Sequence, residues 1–93
     1  MTYTVEVENT GALDDTYDID VVGNWTATPS VTSLAVAAGD IGTFDVEVEI
    51  DVAAMPGDSD VTEVTTTSQG DNTVSASIDL TTSVAAVGED AIF

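Results

Sequence analysis

Four aspartates crowd one short stretch of the chain, Asp14, Asp15, Asp18 and Asp20, and they are its densest set of potential ligand oxygens. Carboxylates at that density suit a hard cation. Calcium takes about six to eight oxygens at about 2.3–2.6 Å, and closely spaced loop aspartates supply several of them. Asp58 with Asp60 forms a second acidic pair, and Asp71 sits in a separate turn. The spacing is not that of an EF-hand loop, which needs acids at alternate positions, a central glycine and a closing glutamate. Aspartate in a turn also serves a plainer purpose, accepting hydrogen bonds from nearby backbone N–H groups. The four aspartates are therefore read both as calcium ligands and as turn residues, with calcium the one cofactor they suggest.

Other chemistry is limited by what the chain lacks. Its 93 residues include 18 Asp plus Glu and no Lys, Arg, His or Cys, a formal charge of −18. Without His or Cys there is no Ser-His-Asp or Cys-His nucleophile and no zinc, haem or iron–sulfur site of the usual ligands. Without Lys there is no Schiff base, no Gly-Lys-Ser/Thr phosphate loop and no Lys–Asn isopeptide bond. Nucleic-acid binding through counterion release needs Lys and Arg, so it is excluded as well. A carboxylate pair about 5–9 Å apart could hydrolyse a glycoside. Alternating acids satisfy that spacing at many places, so it singles out none of them. The sequence is read as non-catalytic. Trp25 is a candidate sugar platform, but its pattern position fits a buried anchor better. Asn24-Trp25-Thr26 matches a glycosylation sequon.

The elements that carry these residues are strands. Tyr3, Val5 and Val7 alternate with Thr4, Glu6 and Glu8, and Tyr17, Ile19 and Val21 alternate with Asp18 and Asp20. The strongest signal is Phe44–Val52, five apolar residues interleaved with Asp45, Glu47, Glu49 and Asp51. Weaker extended segments are expected at 25–28 and 31–36, with further strands at 60–68 and 73–84. Asn9-Thr10-Gly11, Gly39-Asp40, Pro56-Gly57 and Gln69-Gly70-Asp71-Asn72 are turn signals between them. No segment has a helical period. Six or seven short strands in one small core predict an all-β, antiparallel two-sheet sandwich of immunoglobulin type over residues 1–84, with Trp25 as its core anchor. Residues 85–93, which end in Ala91-Ile92-Phe93, read as a linker or an inter-subunit strand.

Several turn motifs occur in a recognisable order: Val7-Glu8-Asn9-Thr10-Gly11, Asp15-Thr16-Tyr17-Asp18, Gly23-Asn24-Trp25, Leu34-Ala35-Val36-Ala37-Ala38-Gly39, Met55-Pro56-Gly57-Asp58-Ser59 and Thr67-Ser68-Gln69-Gly70. In this the chain resembles the Ig-like domains of bacterial and archaeal exported surface proteins, the alpha-galactosidase-associated and cell-adhesion-related type. The resemblance covers about residues 2–84. It implies an accessory or repeated module outside the cell or on its surface, acting as spacer, stalk, adhesive unit or filament subunit. Its partners would be neighbouring domains or copies of itself. The absence of Lys and Arg departs from that family.

The departure raises a physical problem. Acids occupy the outward positions of several strands, and two such strands side by side would set like charges opposite each other. Salt, calcium, or a cationic or glycan surface partner could relieve this. In molar salt, as in a halophile, the screening length falls to about 3 Å. The apolar runs are too short to span a bilayer as a helix, so no membrane insertion is expected.

Overall fold

A computed structural model of the chain describes residues 1–84. The linker or inter-subunit strand expected at 85–93 lies outside the described residues. The period-2 segments become seven strands: β1 Thr2–Glu8, β2 Asp15–Val22, β3 Thr26–Pro29, β4 Ser33–Val36, β5 Ile41–Glu49, β6 Ser59–Ser68 and β7 Ser75–Ser83. They form two antiparallel sheets, a three-stranded one in the order β1-β5-β3 and a four-stranded one in the order β4-β2-β6-β7. The protein is a β-sandwich.

Alternation predicts the buried faces well. Val5 and Val7 of β1, Ile19 of β2, Val36 of β4, Phe44, Val46 and Val48 of β5 and Val64 of β6 form the core. Gly42 lets the sheets approach closely at one point: a Cβ there would meet Val36 Cγ2 at 2.9 Å and Leu34 Cδ2 at 3.0 Å. The turns expected at Gly39 and Gly57 need a left-handed backbone, with φ of 77° and 91°, which glycine adopts without a steric penalty.

Two expectations are corrected. Trp25 is not the centre of the core. It lies in the bend before β3 and packs half-buried against the core's rim, while Val46, Val48 and Val64 fill the middle. The strand expected over Phe44–Val52 is shifted toward the N-terminus, beginning at Ile41 and ending at Glu49. Its neighbours explain the shift. β3 reaches β5 only as far as Thr26 opposite Glu49, and on the other side Met1 pairs with Val48. Beyond Glu49 the described residues supply no strand to pair with, and Val52 is fully exposed despite its place in the pattern.

β7 shows how local packing overrides pattern. Its inward side chains, Thr82, Leu80, Ile78 and Ala76, and Val74 just before it, pass from buried to exposed. Thr82 is 1% exposed and Ile78 47%.

Candidate functional site

The strand register decides what the acidic outer faces can do. β1 and β5 are neighbours and both carry acids, yet no carboxylate of one faces a carboxylate of the other. Glu47 faces Thr2, Asp45 faces Thr4, Glu6 faces Thr43 and Glu8 faces Ile41. On the far side of β5, Glu49 and Glu47 face Thr26 and Thr28 of β3. Between β2 and β6, Asp18 and Asp20 face Thr67 and Thr65. Directly opposed side chains interact most strongly across strands, and like charges there are destabilising. The register thus places hydroxyls where repulsion would be greatest. One hydroxyl bonds its acid outright: Thr4 Oγ1 donates to Asp45 Oδ1 at 3.0 Å. Glu63 of β6 facing Asp79 of β7 breaks the rule.

The aspartates of the calcium reading are placed apart in role. Asp14 accepts the Ala38 N–H at 2.9 Å. Asp15 accepts from Ser68 Oγ, from the Gly70 N–H at 3.1 Å and from the Thr16 N–H at 2.8 Å. These bonds, led by the Ser68 hydroxyl, hold its carboxyl below the ordinary value of 3.8. Asp18 accepts from Gln69 Nε2 at 2.7 Å, and Asp20 is exposed further along β2. Asp14 and Asp15 share an open depression with Ala37, Gln69 and Gly70. Among the described residues no three acids converge in the way a metal ion requires.

Other acids, in turns and near a strand end, behave alike. Asp58 accepts the Met55 N–H at 2.9 Å. Asp71 accepts both the N–H and the hydroxyl of Thr73, at 3.1 and 2.6 Å, and this pair of bonds lowers its pKa. Asp60 is buried and joins two segments: it accepts the Trp25 N–H at 2.9 Å and Asn24 Nδ2 at 3.2 Å. The Trp25 N–H is the chief reason its pKa is lowered. Asn24, of the sequon, is exposed.

Sequence reasoning missed two polar side chains that organise the fold. Asn9 is buried; its Nδ2 donates to the carbonyls of Leu13 and Val36, and its Oδ1 accepts the Gly11 N–H. The Asn-Thr-Gly turn signal marked the position but not the reach to Val36. Tyr3 Oη lies 3.0 Å from the Thr81 carbonyl and 2.7 Å from Thr82 Oγ1. A carbonyl only accepts, so Tyr3 donates its proton there and Thr82 donates to Tyr3. Nothing in local pattern links residues so far apart.

No family model, curated protein or solved structure gives a significant match to this chain.

Proposed function

We propose that this domain is a non-catalytic structural or adhesive module of Ig-like type from a secreted or cell-surface protein, working as a spacer, stalk or filament subunit. The observation that supports it is the distribution of carboxylates. Several of those in turns, Asp14 and Asp58 among them, are engaged by backbone N–H groups, and most of those on strands lie on the outer faces opposite threonines. Such an arrangement serves the surface and the turns. An acidic coat of this kind keeps a displayed domain soluble, and a chain without Lys or Arg offers trypsin-like proteases no cleavage site.

The experiment is labelling of intact source cells with an antibody against the domain, before and after permeabilisation. Staining of intact cells, or recovery of the protein from the medium, is expected. Signal confined to permeabilised cells would sink the proposal.

A further inference from the structure

The three-stranded sheet is one strand shorter than its partner, and the shortfall leaves a groove. β1 and β7 are the outer strands of their sheets and run along the same side of the sandwich, joined at one end by Tyr3. Toward the other end they part over a groove of about 270 Å³, floored by Val5, Val7 and Val64 and walled by Val74, Ala76 and Ile78. Val74 is 54% exposed on a face that alternation directs inward.

Among the described residues, both edges of the groove also present backbone without a strand partner. Met1 and Val48 exchange two backbone hydrogen bonds, of 3.1 and 2.8 Å. Antiparallel alternation then turns the N–H and C=O of Thr4, Glu6 and Glu8 away from β5. Just before β7 the Val74 carbonyl accepts the Ser68 N–H at 3.0 Å. The same alternation turns the backbone groups of Ser75, Ser77 and Asp79 away from β6. An apolar floor beside unpaired strand edges is a template for strand addition.

We propose that this groove binds an extended peptide strand of another protein, with apolar side chains at its inward positions and Lys or Arg at its outward ones. The inference rests on the reading of the domain as an adhesive module and supplies the chemistry of its partner. Charge decides the occupant. A strand added beside β1 sets its outward side chains level with the exposed Glu6 and Glu8, where a basic residue is stabilising and an acidic one is not. The chain has 18 acids and no basic side chain, so a second copy would bring only like charge. The chain's own residues 85–93 include Glu89 and Asp90 and carry the same penalty. The field of the acidic surface would also speed the approach of a basic strand, an effect that falls with ionic strength.

The test uses the whole chain and three labelled peptides: alternating valine and lysine, the same composition with the lysines in one block, and alternating valine and glutamate. Fluorescence anisotropy at physiological salt should show the alternating basic peptide binding about tenfold or more tighter than the block peptide, a difference of about 1.4 kcal/mol. The acidic peptide should not bind. The double variant Val74→Ser, Ile78→Ser should lose that preference, whereas Val61→Ser, on the outer face of β6, should keep it. Circular dichroism of each variant confirms the fold, since every substituted side chain is about half exposed. Equal binding of block and alternating peptides overturns the proposal, because it leaves only unspecific charge attraction. So does dimerisation of the chain alone that the double variant abolishes, since the occupant would then be a second copy. Cell labelling reads the module proposal independently, so stained intact cells with no peptide preference would refute the groove alone.

Discussion

The two ends of the β1/β7 side are built from the same strands, and only one of them is bridged from β1 to β7. At the closed end, Tyr3 bridges to Thr81 and Thr82, and Asp60 ties the bend at Trp25 to β6. At the open end β1 and β7 make no such bridge. There the order comes from turns: Asn9 fastens the chain after β1 to the Val36 carbonyl, and Asp15 fastens the β6–β7 turn to β2. Both ends are held by polar side chains that reach backbone groups. Only at the closed end does one of them span β1 and β7, so the apolar wall at the open end stays uncovered. An edge can thus be well ordered and still have no partner among the described strands.

The cross-strand pair Val64 and Ile78 tests the contrast most strongly, since the two face each other at 1% and 47% exposure. Val64→Ala should lower stability by about 2–3 kcal/mol by opening a cavity in the core. Ile78→Ala should lower it by less than about 1 kcal/mol, because much of that side chain is already in water. Urea unfolding of both variants measures the difference. Equal losses would mean that the open end is packed in solution.

Tyr3→Phe comes next. It removes both hydroxyl bonds at the closed end and should cost about 1–2 kcal/mol. Hydrogen exchange should rise there first, at β7 amides near Thr81, while the amide of Gly70 at the open end keeps its protection. Uniform acceleration would show that the two ends do not open separately.

A smaller effect, of opposite sign, is expected at Glu63. It faces Asp79, and the alternation set by Val74 and Ser68 makes this a pair without mutual backbone bonds, the kind whose side chains lie closest. Glu63→Thr restores the acid-to-hydroxyl pattern seen elsewhere and should raise stability by roughly 0.2–1 kcal/mol. A lower melting temperature for the variant in low salt would contradict the role given to the register.

The finest distinction is in acid. Asp60 at the closed end and Asp15 at the open end both have lowered pKa values in the fold. A depressed carboxyl contributes stability that is full above its unfolded value, near 3.8, and is lost as pH falls through the lower folded value. Asp60→Asn and Asp15→Asn should therefore each flatten the loss of stability below about pH 4 relative to the parent chain. Amide exchange at Trp25 should respond to the first and at Gly70 to the second. A variant whose acid dependence matches the parent would show that its carboxyl is not depressed.

Much of this fold is legible in the sequence, because a sandwich with one wet face writes its orientation into every second residue. Val5, Ile19, Phe44 and Val46 are assigned to the core by alternation alone. What alternation does not encode is which strand lies alongside and in what register. Ile50 and Val52 continue the pattern past the last partner, and Val74 and Ile78 continue it where the facing sheet has run out. The expected repulsion between acidic strands fails for the same reason: the acids are adjacent in the sheet but staggered against threonines. The polar residues Thr62 and Thr82 are buried in positions where the pattern alone suggests an apolar side chain. The aspartates' spacing was visible, but not that backbone N–H groups hold Asp14 and Asp15.

The Tyr3 bridge has a mechanical consequence. It places the beginning of β1 beside the end of β7, so the chain enters and leaves the described sandwich at one end. Tension applied between Met1 and Val84 would part that bridge and then peel β1 from β5 and β7 from β6 one rung at a time. Strands drawn in opposite directions along their length must break many rungs together; strands peeled from one end do not. As a link under tension the domain would therefore yield at low force. Among the proposed roles, that geometry argues against a stalk that carries tension and favours a displayed adhesive unit that presents the turns at its far end.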